Sequence, residues 1–72
     1  MAMSLVGKVL KKKLVNRDVF ISVMKKIWRV YGGVQIELVE RNIFVFYFSN
    51  LKDRQRILKG GPWNFDRATV IF

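Results

Sequence analysis

Cysteine and histidine are both missing from this 72-residue chain, and only five of its side chains are acidic. Without cysteine there is no disulfide framework and no thiolate metal site. Without histidine a zinc site would have to consist of carboxylates alone, so neither a metal nor any other cofactor is expected. There is no His, Cys or paired carboxylate to serve as acid or base, and the lysine-rich loop has no glycine run to aim N–H groups at a phosphate. The chain is therefore not expected to be an enzyme or to take a small-molecule substrate. No apolar run approaches the roughly 18 residues of a membrane span, and no signal-peptide core opens the chain. The expectation is a soluble intracellular protein, nuclear or cytoplasmic, with no membrane partner. Internal repeats, linkers and low-complexity segments are absent too, so residues 1–72 are read as one domain. Because the chain stops just after its last strand, it is expected to come from a longer protein.

What is present in excess is positive charge, a formal +9. Residues 1–36 hold eight basic side chains against Asp18 alone, net +7, and residues 37–72 hold six against four, net +2. A field of this sign attracts polyanions at long range, which makes nucleic acid the leading partner class. Half of the residues are hydrophobic, enough for a dense interior in a domain near the lower size limit for one core.

Ser4–Leu10 reads as a first strand, with Gly7 marking a close approach or a bulge. Lys11-Lys12-Lys13 follows as a flexible basic loop, and Leu14-Val15 is expected to fold back on the core. Asn16 then caps a helix with Asp18 in its first turn. Phe20, Val23, Met24, Ile27 and Tyr31 make its apolar stripe. Trp28 sits on the flank of that stripe, Lys25, Lys26 and Arg29 lie on the solvated side, and Gly32-Gly33 ends the helix. VQIELVE (34–40) alternates as a half-buried strand, Arg41-Asn42 makes a tight turn, and IFVFYF (43–48) returns. Ser49-Asn50 caps a second helix, LKDRQRILK, with Leu51, Ile57 and Leu58 inward. Gly60-Gly61-Pro62 stops it, Trp63 plugs the end of the core, and a last strand runs over about 67–72.

The expected class is thus α+β: a ferredoxin-like, RNA-recognition-motif-like β-α-β-β-α-β split sandwich with two helices on one face of a four-stranded antiparallel sheet. Alternation puts Phe44, Phe46 and Phe48 on one side of their strand and Ile43, Val45 and Tyr47 on the other. The helices cover one side only, and burying a Phe contributes about 1.5–3 kcal/mol. The three Phe are therefore expected inside. Ile43, Val45, Tyr47 and Val39 then form an apolar outer face of the kind that marks an interface.

GKVL, KKIWRVYG, IFVFYF, DRQRIL and above all GGPWNFD resemble the plant domain-of-unknown-function 4283 family over about residues 5–72. The resemblance implies an RNA-recognition-motif-like domain of proteins related to LINE-type retrotransposons, with a nucleic-acid-binding role. The zinc knuckle that commonly follows this domain in the family is not in this sequence. Laid on residues 41–48, the general motif's outward stacking positions fall on Ile43 and Val45 rather than aromatics. Binding of RNA or single-stranded DNA is therefore expected to run through phosphates with low sequence specificity. The residues expected to carry it are Lys8, Lys11, Lys12, Lys13, Arg41 and Arg67, with Tyr47 open to either a stacking or a packing role. The competing expectation is a protein-interaction or homodimerisation module that uses Val39, Ile43, Val45 and Tyr47.

Overall fold

The structure is a computed structural model that describes residues 3–29 and 33–72. Its elements are β1 (Ser4–Val9), α1 (Arg17–Trp28), β2 (Val34–Glu40), β3 (Ile43–Phe48), α2 (Leu51–Gly60), β4 (Trp63–Phe65) and β5 (Ala68–Ile71). All the strands belong to one antiparallel sheet in the order β2-β3-β1-β5-β4. The class is α+β as expected, but the strand count is five and not four. Asp66 and Arg67 both take left-handed backbone angles, φ 49° and 66°, and fold residues 63–71 into a hairpin with a two-residue turn. Trp63–Phe65, expected as a lead-in, is thereby a strand in its own right.

The three phenylalanines of β3 face inward: Phe44 and Phe46 are fully buried and Phe48 nearly so. Cross-strand register carries the same face outward from them, with Leu5 opposite Phe46, Val34 opposite Phe48, and Val70 opposite Val9. α1 lays Phe20 flat on Phe44, ring centroids 4.2 Å apart, and sets Trp28 against Phe46 at 5.1 Å. α2 adds Ile57 to the same cluster. Gly7 lies beneath these rings, and a Cβ there would stand 2.8 Å from Phe46 and 2.9 Å from Phe72. Of the two expected roles for this glycine, the structure shows the close approach, since β1 pairs in unbroken register. The irregularity falls instead in β2, between Leu38 and Glu40, where a bulge re-aims an edge strand that would otherwise invite further pairing.

Asn16 caps α1 by accepting from the Val19 N–H at 3.0 Å, and Asn50 caps α2 by accepting from the Asp53 N–H at 2.8 Å. The buried stripe of α1 is Phe20, Met24 and Trp28, spaced four residues apart. Ile27, expected inward, is 49% exposed, while Trp28, expected on the flank, is wholly buried. The reason is the company Trp28 keeps, because Phe48, Trp63 and Phe72 all stand within 6.3 Å of its ring. The helix also stops sooner than expected. Arg29 closes it in the left-handed conformation, φ 48°, and the Arg56 guanidinium of α2 donates to the Trp28 carbonyl at 2.8 Å. A cation there also suits the negative end of the helix dipole. Tyr31 and Gly32, assigned to the stripe and the stop, lie outside the described residues.

On α2 only Ile57 of the three expected inward residues is buried; Leu51 and Leu58 are exposed. Arg54 donates to the Ser4 carbonyl at 3.0 Å, tying the helix to β1 through a polar contact. Trp63 plugs the core as expected, donating from Nε1 to the Ile57 carbonyl at 2.7 Å. A Cβ at Gly60 or Gly61 would come within 3.0 or 3.3 Å of its ring, which gives the GGPW motif a packing reason. Among the described residues no helix is long and apolar enough to cross a membrane.

Candidate functional site

Because β1, β2 and β4 run in one direction and β3 and β5 in the other, three connections meet at one end of the sheet. They are the loop after β1, the β2–β3 turn at Arg41-Asn42, and the β4–β5 turn at Asp66-Arg67. Five of the expected contact residues, Lys11, Lys12, Lys13, Arg41 and Arg67, come together there from three segments far apart in the chain.

The lysine loop is not the free segment the sequence suggests. Asn42, only 3% exposed and at φ 56°, holds it through its carboxamide. Its Nδ2 donates to the carbonyls of Lys11 and Lys13 at 3.0 and 2.9 Å, and its Oδ1 accepts from the Val15 N–H at 2.8 Å. The backbone carbonyl of Asn42 accepts from the Val9 N–H at 2.9 Å, and Arg41 donates to the Lys12 carbonyl at 2.9 Å. Asparagine suits the position on two counts: it tolerates the left-handed turn, and its amide both donates and accepts. With the three carbonyls of the loop drawn toward the turn, the side chains of Lys12 and Lys13 are left exposed. Val15 packs against the core as expected, while Leu14 stays exposed.

Lys11 differs from its neighbours. Its ammonium pairs with the Asp66 carboxylate and reaches the Asp66 carbonyl at 3.5 Å. The hydrogen bond and charge of Lys11, helped by Arg67, hold the Asp66 carboxyl below its ordinary range. Lys8 lies near the same end but on the uncovered sheet face, between Ile43 and Ile71. Tyr47 is also on that face but at its far end, opposite Ser4 and Gln35. Four residues along β3, roughly 13 Å, separate it from Ile43, so Tyr47 is not part of the basic cluster. Val39 falls in the β2 irregularity, and Glu40 rather than Val39 is the partner of Ile43. Val39 is exposed, and the uncovered face also includes Val6 and Ile71, both exposed and neither singled out from the sequence. Lys25 and Lys26 on α1 and Arg29 at its C-cap are exposed as expected. Among the described residues no three His, Cys, Asp or Glu side chains gather as a metal site would require.

These features define a small α+β domain with an aromatic core beneath two helices, an uncovered sheet face, and a pinned cluster of cations at one sheet end. The model of the family described as a domain of unknown function, DUF4283, matches residues 1–72, and the chain belongs to that family. Neither the curated proteins nor the solved structures yield a match.

Proposed function

We propose that this domain is a non-catalytic nucleic-acid-binding module that grips RNA or single-stranded DNA by its phosphates, with low sequence specificity. The observation that carries the reading is the convergence of Lys12, Lys13, Arg41 and Arg67 on one sheet end, with the lysine loop pinned by Asn42. A pinned loop supports binding because ordering a free one would subtract from affinity. The uncovered face favours phosphate over base contacts, since Tyr47 is its one aromatic among the described residues and Glu37 and Glu40 run along its β2 side. We further read the frame as a ferredoxin-like, RNA-recognition-motif-like split sandwich with one added strand: without β4, the order is β-α-β-β-α-β with β1 and β3 central. The resemblance of the GGPWNFD segment supports placing the domain in a retrotransposon-derived plant protein, acting inside the cell in nucleus or cytoplasm.

The test is fluorescence anisotropy of a labelled single-stranded oligonucleotide over a range of salt. Four phosphate contacts give a log–log slope of about −3, or roughly a 50-fold loss of affinity between 50 and 200 mM salt. Absence of binding at the low-salt end, or an affinity indifferent to salt, would remove the proposal.

A further inference from the structure

The sheet face that neither helix covers carries apolar side chains on three strands: Val6 on β1, Ile43, Val45 and Tyr47 on β3, and Ile71 on β5. Val6 is 57% exposed, Ile71 48% and Tyr47 39%. The register places Val6 directly opposite Val45, so Val6, Ile43, Val45 and Tyr47 form one apolar floor across β1 and β3, with Lys8 standing between Ile43 and Ile71. Charges flank it asymmetrically. Glu37 and Glu40 lie on the β2 side, opposite Val45 and Ile43, and Lys8 lies on the β1 side, also opposite Ile43. Among the described residues none of the three makes an ion pair within the chain.

At the height of Ile43 this pattern is complementary to itself. A twofold axis running along β3 lays Ile43, Val45 and Tyr47 of one copy on the same residues of the other and exchanges β1 with β2. Glu40 and Lys8 flank Ile43 at the same height on opposite sides, so each Glu40 then meets the Lys8 of the other copy, twice over. We infer that the uncovered face is an isologous dimer interface between two copies of this chain, packed sheet on sheet. Nucleic acid is a poorer occupant, because the carboxylates on β2 repel phosphate and the floor has a single ring for stacking. The same axis keeps both basic ends on one side of the dimer, where they would form a continuous track. That consequence rests on the proposed function; the dimer does not.

Sedimentation equilibrium of the nucleic-acid-free protein tests it at about 0.15 M salt, where screening over roughly 8 Å weakens the mutual repulsion of two highly cationic copies. The expected mass rises from 8.5 kDa toward twice that with concentration. Val45→Glu, at the centre of the floor, holds the chain monomeric. Lys8→Glu and Glu40→Lys, both at exposed sites that leave the fold intact, each weaken association roughly tenfold, and the double exchange restores it. A mass fixed at 8.5 kDa through the millimolar range, a Val45→Glu protein that pairs like the parent, a double exchange that rescues nothing, or a mass that rises only when RNA is added would each overturn the dimer. Oligonucleotide affinity measured on the monomeric Val45→Glu protein tests the proposed function separately.

Discussion

Replacing Asn42 by glycine removes three side-chain hydrogen bonds while keeping a residue that accepts φ 56° without strain. Each such bond contributes about 1 kcal/mol net. The carbonyls of Lys11 and Lys13 can turn to water once released, so a loss of about 2 kcal/mol is expected rather than the full three bonds. For a chain of this size that corresponds to roughly 8–16 °C in Tm. Asn42→Ala should cost about 1 kcal/mol more, the penalty for a Cβ in the left-handed region. Urea denaturation followed by circular dichroism gives the stability. Oligonucleotide affinity, measured well below Tm, gives the consequence for function. Both variants keep every lysine and arginine, yet binding should weaken about threefold or more because the loop must now be ordered on binding. Two outcomes would refute the reasoning: a stability change within about 0.5 kcal/mol, typical of an inert surface site, or a clear destabilisation that leaves affinity untouched. The second would mean that the staple holds the fold together without organising the cations.

Gly7→Ala places a Cβ against the buried Phe46 ring and against Phe72; overpacking of this kind costs about 1–3 kcal/mol, seen as a lower denaturation midpoint at unchanged slope. Trp63→Phe keeps a ring over Gly60 and Gly61 but drops the hydrogen bond to the Ile57 carbonyl, a loss of about 1 kcal/mol measurable by thermal denaturation. Asp66→Asn frees Lys11 for phosphate, so affinity should rise and the salt slope should steepen by about 0.7; weaker binding would show that the pair aids the site. The Asp66 carboxyl is held below its ordinary value of 3.8. Any stability from the pair is therefore complete above that value and lost as pH falls through the lower folded one, and carboxyl NMR titration should place the Asp66 midpoint below 3.8.

The bounds of β2 and β3 were legible to the residue, because alternation, two-residue turn chemistry and one-sided cover all pointed the same way. Both asparagine caps were legible for a similar reason, since capping is local. Other features depend on neighbours that the chain supplies from afar. Trp63–Phe65 is too short to show a period, and the Asp66-Arg67 turn lacks the glycine or asparagine that usually signals a hairpin. The burial of Trp28 over Ile27 follows from Trp63 and Phe72, more than thirty residues downstream. In the site, charge alone singled out the lysine loop and its flanking arginines. Asn42 was legible as a turn residue only; its hold on a loop about thirty residues away is a tertiary fact. The β2 irregularity, which makes Glu40 rather than Val39 the registered partner of Ile43, was hidden for the same kind of reason, since a one-residue slip in register has no mark in the alternating pattern.

The most direct test of a phosphate grip at this end of the sheet is amide NMR of the labelled chain, titrated with a single-stranded oligonucleotide. Shifts concentrated in residues 10–16, Arg41, Asn42, Asp66 and Arg67, fading together as salt is added, are the expected result. Shifts confined to Val6, Val45 and Tyr47, or to Lys25 and Lys26 on α1, would contradict it.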